Sequence, residues 1–230
     1  DITDPLNPIA LDGNATLQVT MVDSGDPGAN DSLAVMVWDK TGALWFASKW
    51  NGTVTVKDVL GHMVGVPTDV LAGRTDGIAS DAWTGAQVER YRAVDLETVI
   101  AEWDEASAAV EPIIPDFGVM AGQAIADVVT HEHDLRHALG AEGARDSDAV
   151  LIGSVWCAQW MGEHAREGGS TLRIETDLWS HTFGDGEPTT TLRTSAFEVL
   201  RSATGRRSIA QIEAYEWDGP ALTDVVVLSI

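Results

Sequence analysis

The hydrophobic period of this chain changes at residue 53, and that change limits the folds open to it. Up to residue 52 apolar residues alternate: Leu17, Val19 and Met21 fall on one side of Ala15–Val22. Leu33–Trp38 and Ala43–Ser48 flank Asp39-Lys40-Thr41-Gly42, a pattern that reads as a β-hairpin. From Thr53 onward the spacing is helical. Thr55-Val56-Lys57-Asp58 resembles a capping box, with Thr55 as N-cap, and opens a helix through His62 that should stop near Gly65 or Pro67. Residues 68–87, rich in Gly, Asp, Ser and Thr, read as a long connection. Further helices are expected over Leu96–Val110, ended by Pro112, and over Phe117–Leu139, closed by Gly140.

After Gly143 the pattern shifts again. A helix is expected over Asp148–Glu167, strands over Thr171–Thr176 and Thr189–Arg193, and a short helix over Ser195–Thr204. Strands are expected near Ala210–Tyr215 and Thr223–Ile230. The whole reads as an α+β protein with a boundary between helical and mixed halves near residues 140–147. Within 230 residues there is room for one large domain or two small ones, each with its own core.

Charge narrows the function. With 14 basic against 36 acidic residues the formal charge is −22, which argues against nucleic acid or an anionic membrane as partner. The acidity itself reads as a solubility device or adaptation to a salty cytoplasm. Asp23-Ser24-Gly25-Asp26-Pro27-Gly28 lacks the spacing of an EF-hand and reads as a solvated loop. The lone cysteine, Cys157, stands among Val155, Trp156, Ala158 and Trp160 and reads as a buried structural thiol. No apolar run reaches the roughly 18 residues of a membrane span, and no secretory leader pattern is present, so a cytoplasmic enzyme is the expectation.

The chemistry-bearing residues cluster in Asp127-Val128-Val129-Thr130-His131-Glu132-His133-Asp134-Leu135-Arg136-His137. On a helix of about 100° per residue, Ile125, Val128, Leu135 and Leu139 form the apolar stripe, and Asp127, His131 and Asp134 an adjoining polar one. His133 and His137 turn to another side. Glu132 falls inside the apolar stripe, where a carboxylate needs a partner. Asp127 and His131, four residues apart, can reach one ion, and a lone His62 from another helix would complete three protein ligands. The competing reading makes His131 a hydrogen-bonded bundle residue and His62 a core residue. Glu132 and His133 are substitute ligands, and Asp134 could orient His131 from behind. His137 suits the helix C-terminal dipole. His164 and His181 read as surface residues. A second cluster, Arg201, Arg206 and Arg207, suits a carboxylate substrate or, equally, salt bridges to the chain's many acids.

Thr53–Gly65 resembles the second-helix signature of the mycothiol-dependent maleylpyruvate isomerase family, and Asp127–Arg136 its fourth-helix signature. Ser195–Ser208 resembles the family's C-terminal domain, including its Gly-Arg. The resemblance covers about residues 53–230. It implies a DinB-like metal-binding helical domain over 53–142 and a small α+β C-terminal domain over 143–230. It places the metal ligands on His62, Asp127 and His131, with Asp where the family commonly carries Glu. An arginine important for activity falls on Arg206, with Arg207 adjacent. Residues 1–52 depart from the family: a β-hairpin pattern stands where a long first helix is expected, so either an acquired module replaces that helix or the bundle is finished by another chain through self-association. The implied activity is a metal-dependent isomerase or S-transferase. It would use a divalent ion, zinc above all, and mycothiol or a similar thiol on a small carboxylate-bearing electrophile. A non-catalytic metal-binding or sensor protein of the same fold is the alternative.

Overall fold

A computed structural model describes residues 16–22, 32–38, 44–49, 52–53 and 56–223. The chain divides into two compact units, Asp1–Val54 and Thr55–Ile230. Mixed helix and sheet make the protein α+β.

The first unit is an antiparallel sheet in chain order, β1 (Thr16–Val22), β2 (Ser32–Trp38), β3 (Leu44–Lys49) and β4 (Gly52–Thr53). The register sets Leu17 opposite Val37, Val19 opposite Val35 and Met21 opposite Leu33, so the alternating apolar residues of β1 pair with apolar residues of β2. The register between β2 and β3 shifts between Val37 and Trp38. The acidic segment 23–28, the turn 39–42 and Thr55 lie outside the described residues, as does the expected strand beyond Thr223.

The second unit opens with α1 (Val56–Leu71), α2 (Asp81–Tyr91) and α3 (Leu96–Val110), followed by a 3-10 segment, Glu111–Phe117. α1 does not stop at Gly65 or Pro67 but continues to Leu71. Proline inside a helix costs about 3 kcal/mol; within the helix Thr68 Oγ1 donates back to the Val64 carbonyl, and the turn beyond the proline is held from outside by buried Asp69, which binds Arg74, Gln87 and Arg90. Residues 68–87 are therefore not one long connection, and α2 begins inside them. Ser80 accepts from the Trp83 N–H as its N-cap.

α4 (Val119–Ala138) and α5 (Asp148–Glu167) follow, then β5 (Leu172–Glu175), β6 (Ser180–Phe183), β7 (Thr190–Arg193), α6 (Ala196–Ala203), α7 (Ile209–Glu213) and β8 (Glu216–Asp218). The second sheet has order β6-β5-β7-β8, with β5 and β7 parallel and the outer pairs antiparallel. The strand expected near Ala210–Tyr215 is helix α7 over most of its length. Ser208 accepts from the Gln211 N–H while Gln211 Oε1 accepts from the Ser208 N–H, a full capping box.

The main core is built around α5. Its Val150, Cys157, Ala158, Met161 and Ala165 pack with Ala126 and Val129 of α4, Leu172 and Ile174 of β5, and Val199 and Leu200 of α6. α4 and the C-terminal sheet thus share one core, and both fall in the second unit. A smaller cluster, Val64, Tyr91 and Val99, joins α1 to the ends of α2 and α3. Cys157 is fully buried, and burial pushes its thiol up to about 12, as a structural cysteine requires.

Candidate metal centre

α1 and α4 pack against each other and bring three side chains together: His62 from α1, and Asp127 and His131 from α4. One ligand atom from each lies within 4.8 Å of the others. His62 Nε2 stands 3.4 Å from Asp127 Oδ2, and His131 Nε2 stands 3.5 Å from Asp127 Oδ1. The two imidazoles meet edge to face, 5.2 Å between centroids and 83° between planes. The i, i+4 spacing explains the pairing on α4, because side chains four apart share a helix face.

These residues fit a divalent ion. An ion holding tetrahedral ligands at about 2.0–2.1 Å separates neighbouring ligand atoms by roughly 3.4 Å. Each imidazole nitrogen stands near that distance from an Asp127 oxygen, His62 from Oδ2 and His131 from Oδ1, and one ligand atom from each of the three residues lies within 4.8 Å of the others. Two imidazole nitrogens and a carboxylate oxygen are a donor set that suits zinc. Among the described residues the group has three members, which leaves coordination positions for water or substrate.

Electrostatics in the metal-free protein follow the same geometry. Burial works against the Asp127 carboxylate, but hydrogen bonding and charge from His131 and His62 outweigh it and hold its pKa well below the ordinary value. Burial works against the charged form of His131 too, yet Asp127 and Asp134 raise its pKa. A cation is therefore favoured at this place, and an ion of charge +2 would take that role.

Behind His131 stands Asp134, whose Oδ2 lies 3.4 Å from His131 Nδ1. Arg201 Nη2 donates to Asp134 Oδ1 at 2.7 Å, and Arg206 Nη2 donates to Oδ2 at 3.0 Å. Burial opposes ionisation of Asp134, and the two arginines and His131 more than reverse it. Arg201 is itself buried, which pushes its guanidinium down to about 10, and its Nη1 donates to the Thr130 carbonyl at 3.0 Å. Gly205 aims Arg206 at this carboxylate. It closes α6 at φ +73°, a backbone that favours glycine, with its N–H on the Ser202 carbonyl and the Arg206 N–H on that of Arg201.

The remaining sequence candidates separate cleanly. Glu132 pairs with Arg136, which donates from Nε at 2.8 Å, so the carboxylate on the apolar stripe has its partner. His133 is buried on the side facing α6, edge-on to Phe197 at 4.7 Å, and burial followed by the charge of Arg201 lowers its pKa. Neither joins the ligand group. His137 lies in the last turn of α4. His164 Nδ1 contacts the Trp160 carbonyl at 3.0 Å, and His181 packs against Phe183, both exposed. Arg206 reaches Asp134 beside His131, whereas Arg207 forks onto Glu198, with Nη2 to Oε1 at 2.8 Å. α4 also buries other residues than its predicted stripe: Ala126, Val129, Thr130 and His133 are buried, while Leu139 is 70% exposed.

Two polar residues near the site carried no sequence signal, Gln87 of α2 and Asp69 of α1. Gln87 contacts His62 and donates to Asp69. They lie in segments that read as loop or as lying beyond a helix end. Compared with protein-family models, curated proteins and solved structures, the chain matches none of them. Among the described residues, no helix is long and apolar enough to cross a membrane.

Proposed function

We propose that this chain is a metal-dependent enzyme of DinB-like architecture that uses a low-molecular-weight thiol, such as mycothiol, on a small electrophile. The outcome would be isomerisation or S-transfer. The observation that carries the reading is the convergence of His62, Asp127 and His131 from two helices, with three protein ligands and positions left for an exogenous group. The order of the motifs resembling the maleylpyruvate isomerase family supports it. A divalent ion here, zinc above all, would lower the pKa of a bound thiol as it does that of bound water.

The chain's own residues supply the rest. Asp127 would offset part of the charge of such an ion, and His62 and His131 would hold it. Asp134 presents a carboxylate to the far side of His131 and tethers both arginines. Because Arg201 would still pair Asp134, Arg206 could turn to a substrate carboxylate without leaving a buried charge uncompensated. The test is elemental analysis of the purified protein, then thiol consumption with maleylpyruvate and mycothiol. Near one zinc per chain is expected, lost in His131→Ala together with turnover. A protein that binds no zinc after chelation and reloading overturns the reading.

A non-catalytic metal-binding or sensor role is the second reading, and one observation favours it. Arg206 is engaged at both ends, on Asp134 and on the Thr204 carbonyl, rather than held toward an open site. Bound zinc without thiol turnover would decide for it.

A further inference from the structure

His62, Gly65 and Asp69 fall at i, i+3 and i+7 on α1 and share one stripe of that helix. Gln87 of α2, wholly buried, lies across this stripe. Its Oε1 is 2.8 Å from His62 Nδ1, and its Nε2 donates to Asp69 Oδ2 at 3.0 Å. Glycine at 65 makes the crossing possible. A Cβ there would stand 2.4 Å from Gln87 Cβ and 2.5 Å from Cγ, distances no packed side chain tolerates. Asp69 is clamped in turn, by Arg74 Nε and by Arg90 Nη2, each at 2.7 Å.

The direction of these bonds is forced. An ionised carboxylate only accepts, so Gln87 must present its NH₂ to Asp69 and its carbonyl oxygen to His62. That oxygen also only accepts, so the proton of the neutral imidazole sits on Nδ1. The lone pair is left on Nε2, the atom that faces Asp127 at 3.4 Å. We propose that Gln87 is a positioning residue: braced by Asp69 and admitted by Gly65, it fixes His62 in the tautomer whose Nε2 can ligate a metal. The use of that tautomer rests on the metal-centre reading, whereas the tautomer itself does not.

Two measurements separate them. The first is ¹⁵N NMR of histidine-labelled, metal-free protein at pH 8. Wild type is expected to show His62 with Nδ1 protonated, and with Nε2 bare whenever the ring is neutral. Gln87→Met, which removes both bonds, should shift His62 toward Nε2–H facing Asp127, and Gly65→Ala should act in the same direction by displacing Gln87. The paired change Asp69→Asn with Gln87→Glu reverses the polarity of the second bond but keeps an acceptor on Nδ1, and should restore the wild-type tautomer. The second measurement is zinc affinity, expected to fall about 10–100-fold in Gln87→Met, the usual effect of losing an outer partner of a ligating histidine. An Nε2–H tautomer in wild type overturns the proposal, and that result needs no variant to fold. So does Gln87→Met with the tautomer and zinc affinity unchanged. If the tautomers behave as expected but wild type binds no zinc, Gln87 keeps its positioning role and the metal-centre reading falls.

Discussion

The two ends of the helical unit are held together by different means. Around α5 the packing is continuous: Met161, Leu172, Ile174, Leu192 and Leu200 are all fully buried or nearly so, and polar groups such as Arg201 enter with partners. Between α1, α2 and α3 the closed core shrinks to Val64, Tyr91 and Val99. Beside it runs an apolar trough of about 290 Å³ lined by Leu60, Met63, Ile100, Trp103 and Val128. Besides that cluster, α1 is tied to α2 by the polar chain from Asp69 to Gln87 and Arg90. The candidate metal centre spans the seam, with one ligand from the thinner side and two from α4. A geometry shared across such a seam sets its ligands on different foundations. His131 is backed by Asp134, which Arg201 and Arg206 hold, and His62 by Gln87.

The largest effect should come from the polar group that enters the core. Asp134→Ala leaves Arg201, a nearly buried cation, without its carboxylate, and removing one partner of a buried pair costs about 3–5 kcal/mol. Urea unfolding measures it, and a loss below about 1 kcal/mol would show that Arg201 is held by Thr130 alone. Next, Leu200→Ala should cost roughly 3 kcal/mol, within the range for emptying a packed leucine site. Val64→Ala on the thin side should cost about half as much, since fewer methyl groups leave a smaller closed cluster. Equal losses would erase the distinction between the two ends.

A metal that bridges the seam should stabilise the weaker side more. At 100 times its dissociation constant a ligand adds about 2.7 kcal/mol to the form that binds it. Zinc should therefore slow amide hydrogen exchange in α1 and α2 more than in α5, whose place in the main core predicts slow exchange without it. The smallest effect is a matter of pH. Burial raises the Glu198 pKa, but Arg207 and Tyr215 lower it further, leaving it below its ordinary 4.5. A depressed carboxylate contributes stability that is present above its unfolded pKa and is lost as pH falls through its folded one. Wild type should then lose stability below about pH 4.5 more steeply than Glu198→Gln in thermal melts across that range. Parallel profiles would remove Glu198 from the acid-sensitive groups of the core.

Legibility followed the origin of each signal. α3 and α5 run over the residues their sequence predicts, because an N-cap, a periodic apolar face and a terminator all lie within each segment. α1 runs past Pro67 because Asp69 is anchored by Arg74, Arg90 and Gln87, the last two lying 21 and 18 residues away in the chain. α7 carried its own signal, Ser208 and Gln211 at capping-box spacing, which the β-branched and aromatic residues around it outweighed. The metal candidates were legible in part: Asp127 and His131 share a face by helical phase alone, while His62 reaches them only if α1 packs on α4.

The sequence by itself determined the change from alternating to helical period, the Asp-x-x-x-His face of α4 and the acidic character of the chain. These are properties of neighbours a few residues apart, where geometry is set by the backbone repeat. Only the tertiary structure decided that His62 meets that face, that Arg206 rather than Arg207 reaches Asp134, and that Gln87 crosses Gly65 to orient the His62 ring. Those choices join residues 25 to 72 positions apart. They depend on which helices share a core, and no local pattern in the chain encodes that.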